Sequence, residues 1–417
     1  MMQKQVLILC DTFPPAFAPR MGYLCKYLKQ YAWKPTVITE DNIRENIFAF
    51  LKSDADVRYI RYRKLKDGFL SKIEWFAVLL ADWLLDYHNR RMYYEALKAS
   101  RKQSFDVVLC SSHRVFPLPA ARRIARKLHL PLVIDLRDII EQCADNEYIS
   151  SKVPRLGGLE KPLVEVYRRI LLRQRNRVLR DAAWITTVSP WHVGILKAFN
   201  ARVELIYNGY DPEIFYPAPI RSKQFYITYT GRMFNTALRD PSFLFQAIAR
   251  LDEEGIISPE TFRIRWFMDE KSKRIILDAS RSYPLAAYMD FGGYVAASEI
   301  PAILNESAIL LILSNKSGET GPNGIMTTKF FEYVAVERPV LCVRGDEGCL
   351  EEVINTTRAG LSAHSPEDVY NFIRSQYQQW KKTGYTTVDV NREEIAKFSR
   401  RTQAGQFVCI FDRLTEA

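Results

Sequence analysis

A chain of 417 residues is long enough for two domains, each with its own core. Its 47% hydrophobic and 26% charged residues are those of an ordinary folded protein, which excludes a disordered or fibrous chain. The net charge of +11 is unevenly shared: residues 1–205 hold 35 Lys and Arg against 21 Asp and Glu, a net +14, and residues 206–417 hold 24 against 27, a net −3. A basic half implies an anionic partner. No aromatic RNA-binding motif, finger spacing or long basic run accompanies the charge. A membrane surface or a phosphorylated substrate is therefore expected, and no nucleic acid. The 7 cysteines are scattered without a Cys-x-x-Cys pair, and Val6 enters a strand with no signal-peptide cleavage pattern before it. A reduced, cytoplasmic protein is expected.

Val6–Cys10 is an apolar run that leads into a proline-rich loop, Asp11-Thr-Phe-Pro-Pro-Ala-Phe-Ala-Pro-Arg20. The spacing then predicts a helix over Met21–Tyr31 and strands at Thr36–Thr39 and Val57–Ile60. Ile73–Leu85 is an apolar helix bearing Trp75 and Trp83, with Arg61, Arg63, Lys64, Lys66 and Lys72 before it and Arg90 and Arg91 after it. It reads either as a core helix covering the sheet or as a helix lying in a bilayer surface. Strands at Asp106–Cys110 and Leu132–Asp135 bracket a basic helix, Ala120–Leu128, and Trp184–Val188 and Val203–Tyr207 close the first half. The loop signals of Asn208-Gly-Tyr-Asp-Pro, running on to Pro217, mark a boundary. Further strands follow at Tyr226–Tyr229, Phe262–Phe267, Met289–Gly292, Ala308–Leu313, Val340–Val343 and Gly360–Ser362, then a helix over Arg392–Leu414. The alternation predicts an α/β chain of two doubly wound parallel sheets, in domains 1–207 and 208–391, with a C-terminal helix in 392–417.

The most informative stretch runs from Gly318 to Val343. It is a loop with Gly318, Gly321 and Gly324, a helix starting at Thr327 or Thr328, and the strand Val340–Val343. A helix N-terminus after a glycine loop offers free backbone N–H groups and a positive dipole end to a phosphate. Lys329 sits in the first turn, and Glu332 lies one turn further on, where it can accept hydrogen bonds from hydroxyls. A phosphate cradle beside a hydroxyl-binding carboxylate suits a nucleotide diphosphate-sugar. Gly231, after a strand, lets backbone approach a ligand, and Arg232 presents a planar fork to a diphosphate. In the first half, Asp135, Arg137 and Asp138 follow a strand at its carboxyl end, where open α/β sheets bind ligands. Asp138 is the candidate base for an acceptor hydroxyl, and Arg137 a candidate for phosphate or sugar. The alternative is an internal Asp–Arg pair. His113, in Ser111-Ser-His-Arg114, faces the same end. No Asp-x-Asp is placed to hold a metal, Asp54-Ala-Asp56 reads as a surface loop, and the other histidines have no metal-ligand spacing.

The segment Thr328-Lys-Phe-Phe-Glu-Tyr-Val-Ala-Val-Glu-Arg-Pro-Val340 resembles the donor motif of GT-B glycosyltransferases, especially the retaining family 4 group, in the subset with Thr-Lys-x-x-Glu-Tyr. Five other pieces resemble the same group in the same order: Asp11-Thr-Phe-Pro-Pro with Arg20, Pro131-Leu-Val-Ile-Asp-Leu-Arg-Asp138, Thr186-Thr-Val-Ser189 with Asn208-Gly-x-Asp211, Thr230-Gly-Arg-Met233, and Phe291-Gly-Gly-Tyr-Val295 with Glu299-Ile-Pro301. The resemblance implies two Rossmann-like domains facing across a cleft, the C-terminal helix crossing back to the first. It implies donor contacts at Gly231, Arg232, Tyr294, Val295, Thr327, Thr328, Lys329 and Glu332, acceptor contacts at Asp11, Pro15 and Arg20, and catalysis at Asp138, Arg137 and His113. It also implies a further basic residue later in the turn of Gly231, where Arg239 stands. The fuller motif has a Glu where this chain has Gly324, which leaves the sugar contact unassigned; Glu319 is near enough in sequence to substitute.

The implied activity is metal-independent transfer of a hexosyl group, with retention, from a nucleotide diphosphate-sugar to a hydroxyl of a lipid-linked glycan in surface polysaccharide assembly. No separate cofactor is implied, and the setting is the cytoplasm at the inner face of a membrane. Two alternatives stand beside it: a sugar-nucleotide epimerase, and a non-catalytic GT-B protein that binds glycan or a partner enzyme. A dehydrogenase is disfavoured because no Gly-x-Gly-x-x-Gly follows a strand, and a P-loop kinase because its lysine motif is absent.

Overall fold

The structure is a computed structural model that describes residues 3–16, 18–41, 48, 51, 55–65, 67–142, 160–218, 220–314, 324–345 and 348–416. It divides into two compact units. One joins Met1–Tyr207 to Arg400–Ala417, and the other is Asn208–Ser399.

The first unit is built on β1 (Lys4–Cys10), β2 (Trp33–Glu40), β3 (Asp56–Ile60), β4 (Val107–Ser112), β5 (Leu132–Leu136), β6 (Trp184–Thr187) and β7 (Val203–Leu205). All pair in parallel, in the order β3-β2-β1-β4-β5-β6-β7. Such a sheet is covered on both faces, so its central strands read as continuous apolar runs. Val6, Leu7, Ile8 and Leu9 are all fully buried. Its helices are α1 (Pro19–Leu28), α2 (Phe69–Leu85), α3 (Tyr87–Ser100), α4 (Leu118–Leu128), α5 (Glu160–Asp181) and α6 (Pro190–Leu196). One face packs on α3 and α4 through Met92, Ala96, Leu118 and Ile124. The other packs on α1 and on the last helix of the chain through Leu24, Phe407 and Phe411.

The second unit has β8 (Phe225–Thr230), β9 (Phe262–Phe267), β10 (Met289–Phe291), β11 (Ile309–Leu313), β12 (Val340–Val343) and β13 (Gly360–Ala363), all parallel, in the order β10-β9-β8-β11-β12-β13. Its helices are α7 (Ser242–Glu253), α8 (Glu270–Ser280), α9 (Ile300–Glu306), α10 (Thr328–Ala335), α11 (Cys349–Thr357), α12 (Pro366–Thr383) and α13 (Arg392–Ala396), and α14 (Arg400–Thr415) returns to the first unit. The caps are local. Ser365 and Asp368 form a reciprocal capping box on α12, which ends at Gly384 with φ +80.

Two expectations need correction. The single helix over 392–414 is two, α13 and α14. The chain breaks between them at Phe398, which packs on Phe330 and Phe331, and at Ser399, which bridges to Tyr210. And α2 is no core helix: Ser71 is its one buried residue. Glu319, Gly318, Gly321, Asp54 and Lys66 lie outside the described residues.

Candidate functional site

In each sheet the strand order reverses between two neighbours, β1 and β4 in the first and β8 and β11 in the second. Doubly wound sheets bind ligands beyond the carboxyl ends of the strands at that switch point. Gly231 follows β8, and α10 comes after the loop that leaves β11.

At the second unit's switch point, Gly231 has φ +122, a conformation that favours glycine, and its N–H donates to Phe267 O at 2.9 Å. A side chain there would collide with Lys329, since a Cβ would lie 2.3 Å from Nζ. Lys329 is half-buried in the first turn of α10, with Nζ 4.2 Å from the centroid of the Tyr229 ring. Loss of water lowers its pKa from the ordinary 10.5, and the Arg239 cation pushes the same way against the pull of Tyr229 and Glu332. Arg239 donates to the Tyr229 hydroxyl at 3.0 Å and also to Arg232 O. Three groups thus gather around one glycine turn: an ammonium, a guanidinium and a phenol.

α10 is held there by Tyr333, whose hydroxyl lies 3.0 Å from Thr230 Oγ1 and accepts the Thr230 N–H at 3.3 Å. Thr327 is its N-cap, in extended conformation and making no side-chain capping bond, and Thr328 is exposed beside it. Backbone N–H groups of the first turn are therefore not consumed by that side chain. Glu332 is half-buried one turn after Lys329. Gly324 has φ +66, so the position where the fuller motif carries Glu is one that favours glycine here. Arg232 is mostly exposed, 3.5 Å from Asp269, and Tyr294 is exposed beside a half-buried Val295.

At the first unit's switch point, Asp11 directly follows β1 and is 6% exposed. Its carboxylate accepts from Arg137 Nη2 at 2.6 Å and from Thr12 N–H at 2.8 Å, and contacts His113 Nδ1. Burial pushes the Asp11 pKa up, but Arg137 and His113 outweigh it and the carboxyl titrates below its usual range. Asp138 is exposed next to this group. Withdrawal from water raises its pKa, against the pull of His113, Arg137 and Arg114.

Two expected acceptor residues are turned inward. Arg20 is 4% exposed and bonds Asp135 through Nε at 3.0 Å and Nη2 at 2.8 Å, and it also donates to Ile206 O and Tyr207 O. Asp135 is fully buried and further bonded to Ser111 and Thr186. This buried Arg20–Asp135 pair was not among the sequence readings, and it ties β5 to the end of β7; Arg137, for which an internal Asp–Arg pair was the alternative, pairs instead with Asp11. Pro15 is buried too, and Asp11 is an anchor for Arg137 and His113. Of the residues expected to act at this end, Asp138 is exposed and His113 is partly exposed. The sequence reading missed Tyr229 and Tyr333. The first shows only as a strand tyrosine two residues before Gly231; the second stands in the Thr-Lys-x-x-Glu-Tyr string and its contact was not foreseen. Among the described residues, no group of three His, Cys, Asp or Glu side chains is arranged to hold a metal.

Residues 21–214 match the family described as Glycosyltransferase Family 4. No curated protein sequence matches the chain. Solved structures do. Sucrose-phosphate synthase from Thermosynechococcus elongatus is 15% identical with a TM-score of 0.62, covering 99% of this chain and 100% of that one. HepE from Anabaena, in complex with UDP, is 13% identical with a TM-score of 0.63, covering 98% and 100%. A glycosyltransferase from Rickettsia africae is 13% identical with a TM-score of 0.61, covering 99% and 98%. Likeness at this identity shows the fold, which is GT-B: two Rossmann-like α/β domains.

Proposed function

We propose that this GT-B chain, similar over residues 21–214 to glycosyltransferase family 4, transfers a sugar from a nucleotide diphosphate donor to a hydroxyl acceptor. The observation that carries the reading is the Gly231 turn, with Lys329, Arg239 and Tyr229 gathered on it beside the start of α10. A diphosphate there meets two cations and the N-terminal turn of α10, whose N–H groups the Thr327 side chain does not cap, and Glu332 one turn on receives ribose hydroxyls.

In the reaction the acceptor oxygen bonds to the anomeric carbon while the bond from that carbon to the diphosphate breaks. The electron pair leaves with the diphosphate. Lys329, Arg239 and the α10 terminus stabilise that growing charge, which is electrostatic stabilisation of the transition state. The acceptor hydroxyl gives up its proton, and Asp138 is the group proposed to orient the hydroxyl or take the proton, with Arg137 and His113 held around it by Asp11. In this reading Lys329, Arg239 and the α10 terminus hold the diphosphate without a metal, and the proposed retention requires the acceptor oxygen to approach on the face the diphosphate leaves; a UDP-sugar is the first donor to try because HepE is solved with UDP. The basic first half favours a lipid-linked, phosphate-bearing acceptor in surface polysaccharide assembly, at the inner face of a membrane.

The test is turnover. Wild type is incubated with each donor and a lipid-phosphate-linked sugar acceptor, without added metal, and nucleotide release and acceptor mass are followed. Acceptor gaining one hexose is the expected result. Nucleotide bound but neither released nor transferred, with every acceptor, removes the catalytic reading.

A further inference from the structure

Helix α2 leaves its apolar side to solvent. Phe69, Ile73, Phe76, Leu80 and Leu84 recur a turn apart along one side, and all are exposed, Phe76 at 61% and Leu84 at 72%. Its carboxylates bond the backbone of the segments before and after it. The Glu74 carboxylate accepts the N–H groups of Lys64 at 2.7 Å and Leu65 at 2.8 Å, and Asp82 accepts that of His88 at 2.9 Å. The acids are spent on fixing the flanks, and the apolar side is left to solvent. A second helix extends this face. Trp83 stacks on Tyr167 of α5 with ring centroids 6.0 Å apart, and α5 exposes Leu163, Val166 and Ile170. Contiguous apolar surface of this kind marks an interaction site.

We infer that α2 and α5 together dock the first unit on an anionic lipid bilayer, with α2 lying flat in the interface. Charge selects this occupant. Exposed Arg63, Lys64, Lys72, Arg90, Arg173 and Arg177 stand on and around the apolar residues. Two copies meeting through this face would bring like basic residues against each other, as a two-fold interface must. An anionic surface neutralises them while its acyl layer covers the phenyl and indole rings. Trp75 and Trp83 suit the headgroup level. None of the helices among the described residues is long and apolar enough to cross a membrane, and α2, about 25 Å long, lies along the surface.

This deepens the membrane-facing part of the proposed function and stands without sugar transfer. Its test is sedimentation of the full chain with vesicles of phosphatidylcholine alone or mixed with phosphatidylglycerol, alongside Phe76→Ser/Leu80→Ser/Leu84→Ser. Wild type is expected to bind the mixed vesicles at least about tenfold more tightly than the neutral ones, with a blue shift of tryptophan emission and loss of binding in salt. The triple variant loses at least about tenfold in binding while its circular dichroism and its thermal shift with UDP stay as in wild type. Equal binding by wild type and variant, equal binding to both vesicles, or no binding would each overturn the inference. So would a wild-type dimer in sedimentation velocity that the variant abolishes without any change in vesicle binding. Because UDP binding is read on the same samples, failure of the donor site and failure of the docking face are told apart.

Discussion

Lys329 Nζ occupies the space that a side chain on residue 231 would take, 2.3 Å from the position of its Cβ. The backbone, at φ +122, favours glycine there, and a side chain would push the lysine tip aside. Gly231→Ala should keep the fold at a cost of about 1–3 kcal/mol of backbone strain and displace the ammonium, weakening donor binding by at least about tenfold. Calorimetry of nucleotide binding and a melting curve on the same variant check both halves.

Lys329→Met should weaken donor binding by roughly ten- to a hundredfold, the worth of a charged hydrogen bond. The wild-type lysine also sets a pH dependence. Its pKa is lowered from 10.5, so the free protein begins to lose that proton before an ordinary lysine does, and a bound diphosphate restores it. Donor affinity should therefore fall as pH rises through that lowered value, and the Met variant should show a flatter profile. Stability of the free protein runs the other way, gaining with pH in the same window, because the unfolded chain then holds the extra proton.

Arg20→Ala should behave as a core lesion. It leaves Asp135 buried and unpaired and should cost about 3–5 kcal/mol in denaturant unfolding, whereas Arg20→Met with Asp135→Leu should recover much of it. Burial raises the Asp135 pKa, but Arg20 outweighs it and holds the carboxyl below 3.8. The pair thus contributes stability that is full above 3.8 and is lost as pH falls through the lower, folded value, so the first unit should be acid-sensitive in wild type and less so in the double variant.

Asp138→Asn should lower the transfer rate by about 10²–10⁴-fold and leave nucleotide binding unchanged, since it sits in the other unit from Gly231 and Lys329. Single-turnover kinetics beside a thermal shift separates the two effects.

Much of this was legible in the chain. Parallel strands buried on both faces announce themselves as apolar runs, and each of the thirteen strand positions read from the sequence carries a strand. The Gly231 turn and the Lys329 helix were readable because glycine and charge sit at fixed offsets from those strands. What failed was the direction of side chains. Arg20 lies 115 residues from Asp135, and Asp11 lies 102 from His113, so no local pattern joins them. An apolar stripe looks the same whether it covers a sheet or faces outward, and α2 does the second. The break before α14 has no Gly or Pro to mark it; what stands at it is Phe398, packed on residues far off in sequence.

The most direct measurement is thermal shift with UDP-, GDP-, ADP- and CMP-linked sugars on wild type, Lys329→Met and Glu332→Ala, without added metal. Ligand that binds only the folded state raises the melting temperature by mass action. The account predicts a rise with one nucleotide class, UDP first, that both variants lose. A well-folded wild type that responds to none of the four, or variants that respond as wild type does, would contradict it.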